Sequence, residues 1–146
     1  MKTDVIVILL CISVFITTGT LLQNYTDVDK PTDGLSLLLN AIEWVESKGD
    51  VNAIGDSGRA VGCMQIHKIY VRDVNRILGY DKYTYADRYD RAKSREMARV
   101  YFNHYGGTVE EMAKKFNGGP MGHKKKSTES YWEKVKARME IRKCGL

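Results

Sequence analysis

Apolar residues recur with a helical period over residues 35–47. At about 100° per residue, Leu35, Leu38, Leu39, Ile42 and Val45 share one face. Glu46 falls in the middle of that stripe, beside Leu39 and Ile42, and Glu43 lies roughly 60° away toward its edge. Pro31-Thr32-Asp33 reads as a helix start, with Asp33 or Thr32 as the cap, and Lys48-Gly49 as the break. Residues 49–67 carry Gly49, Gly55, Gly58 and Gly62 and no helical period, which predicts a loop or short hairpin. Helical spacing returns from Ile69 to Leu78 and closes at Gly79, and Tyr80 to Asp90 is irregular. From Ser94 to Tyr105, Met97, Ala98, Tyr101, Phe102 and Tyr105 fall on one side. Thr108 with Glu111 is a capping box opening a short helix that breaks at Asn117-Gly-Gly-Pro120. A last helix runs from Ser127 to about Arg142, with Tyr131, Trp132, Val135 and Met139 inward. About five helices and one glycine-rich excursion predict a mainly α single domain with a minor β element.

The N-terminal stretch does not fit that pattern. Val5 to Leu22 is an almost unbroken apolar run, preceded by Lys2 and ending in the small residues Thr18, Gly19 and Thr20. Residues 1–22 are expected to be a secretory signal peptide, although Asp4 and the lack of an A-x-A site depart from the usual form. An uncleaved anchor is the alternative, since the run is barely long enough to span a bilayer. Leu10 before Cys11 argues against a lipoprotein cysteine. Residues 23–34 then form a short linker and residues 35–146 the folded domain. The expected location is outside the cytosol, secreted or anchored with the domain on the outer face. Asn24-Tyr25-Thr26 is a glycosylation sequon, meaningful only in a eukaryotic secretory path.

Charge and cysteines narrow the classes further. The net charge is +5, and Lys2 and Asp4 cancel, so removing the leader leaves it unchanged. A basic exported domain is drawn to polyanions, bacterial wall polymers among them. No nucleic-acid motif surrounds the Lys124-Lys125-Lys126 run, which reads as a solvated loop. Beyond Cys11 only Cys63 and Cys144 occur, and spacing does not decide whether they pair. His67, His104 and His123 have no Cys or His at ligand intervals, so no metal site and no cofactor are expected.

Glu46 is the misfit that carries chemistry. A carboxylate facing a core is costly unless neutral or paired. In the last helical turn the negative end of the helix dipole opposes its charge as well. Both effects raise its pKa, as a general acid requires near neutral pH. The alternative is a stripe edge, with the carboxylate hydrogen-bonded or reaching water.

Short motifs follow in order: Glu46-Ser47; Gly55-Asp56-Ser57-Gly58; Gly62-Cys63-Met64-Gln65-Ile66; Phe116-Asn117-Gly118-Gly119; and Thr128 with Tyr131-Trp132. This set resembles the lysozyme-like superfamily, in particular soluble lytic transglycosylases and goose-type lysozymes, from about Leu35 to Val135. The Asn-Gly-Gly-Pro stretch is also similar to invertebrate-type lysozymes, the destabilases, which are usually richer in cysteine. The resemblance implies a lysozyme-like fold and cleavage of the β-1,4 bond between N-acetylmuramic acid and N-acetylglucosamine in bacterial peptidoglycan. It implies Glu46 as the acid that protonates the glycosidic oxygen. Gly55-Asp56 matches the goose-type pair proposed to hold the attacking water, so Asp56 is the second catalytic candidate; the alternative is a plain Asp-Ser-Gly turn. A second aspartate of some goose-type enzymes is replaced here by His67, a departure from the two-carboxylate pattern; His67 could orient water or contact sugar, and the alternative is a partly exposed loop histidine. Ser47, Met64, Gln65, Gly118 and Tyr131 match positions of the substrate site, and Asn117 matches the family's asparagine near the acid, with a helix C-cap as its other reading. Strand-like backbone and the Gln65 amide would suit sugar acetamido groups, and Gly62 would let chain or sugar approach closely. Phe116 stands where transglycosylases usually have tyrosine, and Tyr131 could supply the missing polar contact. Asp87 reads as a helix-entry or salt-bridge residue. A lytic transglycosylase forming 1,6-anhydro ends and a non-catalytic wall-binding module are the alternatives, and a monomer is expected.

Overall fold

Asp33 opens the first helix, its Oδ1 accepting from the Ser36 N–H at 2.6 Å. In the computed structural model, which describes residues 33–143, this helix is α1 (Gly34–Ser47). Four more follow: α2 (Lys68–Leu78), α3 (Arg91–Tyr105), α4 (Val109–Gly118) and α5 (Glu129–Lys143). A three-stranded antiparallel sheet lies between α1 and α2, with β1 (Ile54–Gly55), β2 (Ala60–Val61) and β3 (Ile66–His67) in that order. This is the mainly α architecture with a minor β element that the hydrophobic pattern predicts. The apolar run of residues 1–22, the sequon and Cys144 lie outside the described residues. Among the described residues no helix is long and apolar enough to cross a membrane.

Helix boundaries follow local chemistry. α1 ends at Lys48 itself, which takes the left-handed conformation (φ 58°, ψ 24°) and donates its N–H to the Trp44 carbonyl. α4 opens on the Thr108/Glu111 capping box. α3 begins earlier than the apolar spacing suggests, because Asp90 caps it by accepting from Lys93 N–H at 3.0 Å. The irregular stretch before it holds a 3₁₀ turn, Tyr85–Tyr89, opened by a second capping box between Thr84 and Asp87. Asp87 also pairs with Lys93 at 2.5 Å, and these contacts depress its pKa to about 2, the Lys93 bond most.

The core gathers one face of every helix. Leu38, Leu39, Ile42, Val71, Val74, Met97, Tyr101, Val135 and their neighbours are fully or nearly buried in it. Glu43 departs from expectation. It is 2% exposed, among the most buried residues of α1. The buried face is wider than the aliphatic stripe, because Arg91 and Arg95 of α3 reach over and pair with both Glu43 oxygens. A doubly paired carboxylate can be buried where a lone one cannot.

The hairpin is held from beneath by Arg88. This arginine is 5% exposed, and its Nη1 donates to the Arg59 and Ile66 carbonyls, both at 3.1 Å. Gly62 lies against the same support. Its φ is +79°, and a Cβ there would stand 1.9 Å from the Arg88 carbonyl oxygen. The close approach the sequence suggests at Gly62 is therefore one of chain on chain. Gly62→Ala combines a left-handed backbone with a backbone clash, and is expected to destabilise the domain by more than about 3 kcal/mol. Gly79→Ala has a similar φ (+80°) but open space, and should cost only about 1 kcal/mol. Urea unfolding of the two variants checks the contrast.

Candidate active site

Glu46 lies in the last turn of α1, and its Oε1 accepts the Tyr131 hydroxyl of α5 at 2.8 Å. The carboxyl is part-buried, and burial raises its pKa from 4.5 to about 7. The Tyr131 hydrogen bond and the positive charge of Lys134 pull the other way, but less strongly. Among the described residues no cation pairs directly with it, in contrast to Glu43 one turn earlier. Tyr131 is itself buried, which holds its phenol pKa well above 10 and keeps it a neutral donor. The arrangement suits a carboxyl that carries its proton near neutrality and can release it.

Ser47 fixes the orientation of this end of the helix. Its hydroxyl donates to the Cys63 carbonyl at 2.8 Å, tying the acid's helix to the β2–β3 turn. That turn corrects the expectation of strand-like backbone at Met64 and Gln65. Residues 62–65 form a turn, and Gln65 has φ +48°. Met64 points into the core with no exposed surface. The Gln65 amide donates inward to the Ala53 and Gly62 carbonyls at 3.2 and 2.9 Å. Gly55 makes room for it: a Cβ there would meet Gln65 Oε1 at 2.2 Å. The Met-Gln motif thus braces the hairpin against α1, leaving one edge of Gln65 on the groove.

Asp56 and His67 come together on the hairpin. Asp56 sits in the β1–β2 turn with φ +47°, followed by Ser57 at +55°. Arg59 clamps it, donating to the carboxylate at 2.5 Å and to the carbonyl at 3.1 Å. His67 Nε2 lies 3.4 Å from the other carboxylate oxygen. Both side chains are about two-fifths exposed, so they face solvent rather than the core.

A groove of about 720 Å³ runs from this hairpin along α2 to the end of α4, and Gln65, His67, Tyr70, Phe116 and Asn117 form part of its wall. Asn117 is exposed in the last turn of α4. Gly118 lies beneath it, its carbonyl accepting from Lys125 at 2.6 Å, with Thr128 packed where a side chain would be. Glu46 is not among the wall residues. Sequence reasoning missed Tyr70, because an aromatic in a helix's first turn reads as core. It is stacked on Tyr101 with centroids 4.5 Å apart and tilted against Phe116 at 5.4 Å. Among the described residues no group of three or more His, Cys, Asp or Glu side chains could hold a metal ion.

Residues 29–139 match the family model described as the transglycosylase SLT domain. No curated protein matches the chain.

The raised pKa has a consequence for stability. Below about pH 4.5 Glu46 is protonated in both folded and unfolded chains. As pH rises toward 7 the unfolded chain loses this proton first, so stability falls across that window and levels off above it. Glu46→Gln removes the titration while keeping the shape. It should match the wild type at about pH 4 and be more stable at about pH 8, by up to roughly 3 kcal/mol. Urea unfolding at the two pH values measures the difference, and an unchanged gap would show that Glu46 titrates normally.

Proposed function

The chain belongs to the transglycosylase SLT domain family, lysozyme-like glycosidases of peptidoglycan, and from that premise we propose that Glu46 is its catalytic acid. The bond cleaved in this reading is the β-1,4 link between N-acetylmuramic acid and N-acetylglucosamine. The observation that carries it is a part-buried carboxyl with pKa about 7, hydrogen-bonded by a buried phenol.

The steps follow from proton positions. Glu46 donates its proton to the glycosidic oxygen as the bond to C1 breaks, and positive charge grows on the muramic ring. Tyr131 then stabilises the carboxylate left behind, since a hydrogen bond to the charged form favours it. In the hydrolytic branch water attacks C1 and its proton passes to Asp56, which Arg59 and His67 orient at the hairpin. The Asp56–His67 contact beside the groove supports this branch. In the other branch the sugar's own C6 hydroxyl attacks C1 and returns a proton to Glu46, giving a 1,6-anhydro end. The family's description and the Arg59 clamp on Asp56 support that one. In either branch activity declines as pH rises through about 7 and Glu46 loses its proton. The substrate lies beyond the cell's membrane, which fits export directed by the Val5–Leu22 run.

Two measurements test the reading. Glu46→Gln should abolish lysis of purified walls while circular dichroism stays that of a folded protein; a folded variant with near wild-type rate would refute the acid. Mass analysis of the wild-type products separates the branches. Hydrolysis yields reducing ends, and Asp56→Asn then loses roughly 10²–10⁴-fold in rate. Products lighter by one water, with Asp56→Asn nearly unaffected, assign the anhydro branch.

A further inference from the structure

Arg88 is a buried cation bonded to carbonyls rather than to a carboxylate. Its Nε donates to the Tyr85 carbonyl at 2.8 Å, and its Nη1 to the Arg59 and Ile66 carbonyls, both at 3.1 Å. Burying a charge in this way is costly. An apolar side chain would fill the same space without that cost, but it would not bond two strands at once. The strands here are each two residues long, so their own ladder is too short to fix the hairpin firmly.

The two bridged carbonyls flank one carboxylate. Arg59 is the residue whose side chain clamps Asp56, at 2.5 Å to the carboxylate and 3.1 Å to the carbonyl. Ile66 precedes His67, whose Nε2 lies 3.4 Å from the other Asp56 oxygen. One nitrogen of Arg88 therefore holds the backbone beside both partners of Asp56. The arginine is anchored in turn: the Ser94 hydroxyl of α3 donates to its carbonyl at 3.0 Å. We propose that Arg88 is a positioning residue for hydrolysis. By setting the separation of Arg59 and His67 it sets where the Asp56 carboxylate stands, and so how well water is held for attack on C1. This rests on the hydrolytic branch above and adds to it the group that aligns its base. The planar guanidinium suits the task, because its donors point in fixed directions, whereas a lysine ammonium is a compact point charge. Arg88→Lys therefore keeps the charge and loosens the spacing.

The test measures Arg88→Lys alone and in Asp56→Asn, by the rate at which reducing ends appear from purified walls, with circular dichroism reporting the fold. Alone it should lower kcat roughly tenfold with KM within about twofold, since a displacement on the order of 1 Å costs up to about 10² in rate. The share of 1,6-anhydro ends should rise as the sugar's C6 hydroxyl outcompetes poorly held water. Loss of folded protein lowers both products alike and leaves that share unchanged. In Asp56→Asn the same substitution should change the rate by less than about twofold, because the group it aligns is already gone. An equal drop in both backgrounds overturns the proposal and makes Arg88 a support of the hairpin alone. A folded Arg88→Lys with wild-type rate and products overturns it as well. If Arg88→Lys does not fold, Ser94→Ala, which frees the Arg88 carbonyl, decides in its place by the same comparison, with an expected drop of about threefold confined to the Asp56 background. Wild-type products that all carry anhydro ends overturn the proposal together with the hydrolytic branch and leave Glu46 as the acid. Absence of any cleavage by the wild type refutes the peptidoglycan reading itself.

Discussion

The hydroxyl of Tyr131 meets the carboxyl of Glu46 across 85 positions of chain, and the site depends on that contact. α1 and α5 form one of the main helix pairs of the fold. On their solvent side Arg138 lies 3.9 Å over the Trp44 ring, and on the inner side Leu38, Leu39, Val135 and Met139 join the core. This packing removes water from around Glu46, and the removal of water holds its proton. The phenol is the one polar partner that fits such a place. A cation there would fix the carboxyl as an anion, and no partner at all would leave it unsatisfied. A neutral donor does neither: it orients the acid and still favours the carboxylate once the proton has left.

The contrast with Glu43 shows how one helix holds two buried carboxylates for different ends. Glu43 is the more buried of the two, yet Arg91 and Arg95 bind it from α3. Its task is to join α1 to α3, below the hairpin. Ser47 then ties the helix end to Cys63, and Arg88 ties the hairpin to the turn before α3. These polar links come from three directions and converge on the hairpin. They leave Glu46, Gln65 and His67 on neighbouring rigid elements.

The sequence carried much of this because hydrophobic period and capping chemistry are local. The five helices, the Thr108/Glu111 box and the polar intrusion of Glu46 can all be read within a dozen residues. What stayed hidden depends on partners distant in the chain. The burial of Glu43 needs two arginines from α3. The inward turn of Met64 and Gln65 needs the carbonyls of Ala53 and Gly62, and a run of apolar and amide residues reads equally well as a strand. The early start of α3 lay in Asp90, a cap standing before any apolar repeat. Tyr70 was passed over because a helix face predicts burial and not which groove it borders. Family resemblance located Asn117 and Tyr131, and the structure supplied the contact that Tyr131 makes.

The central claim is that burial keeps Glu46 protonated near neutrality, and it can be measured without substrate. Carbon-detected NMR titration of the side-chain carboxyls, with Glu46 assigned by its loss in Glu46→Gln, reads this proton directly. The account predicts a midpoint at about 7, set apart from the exposed carboxylates. A midpoint near the ordinary value of 4.5 would contradict it, because Glu46 would then be a solvated anion at neutral pH with no proton to give.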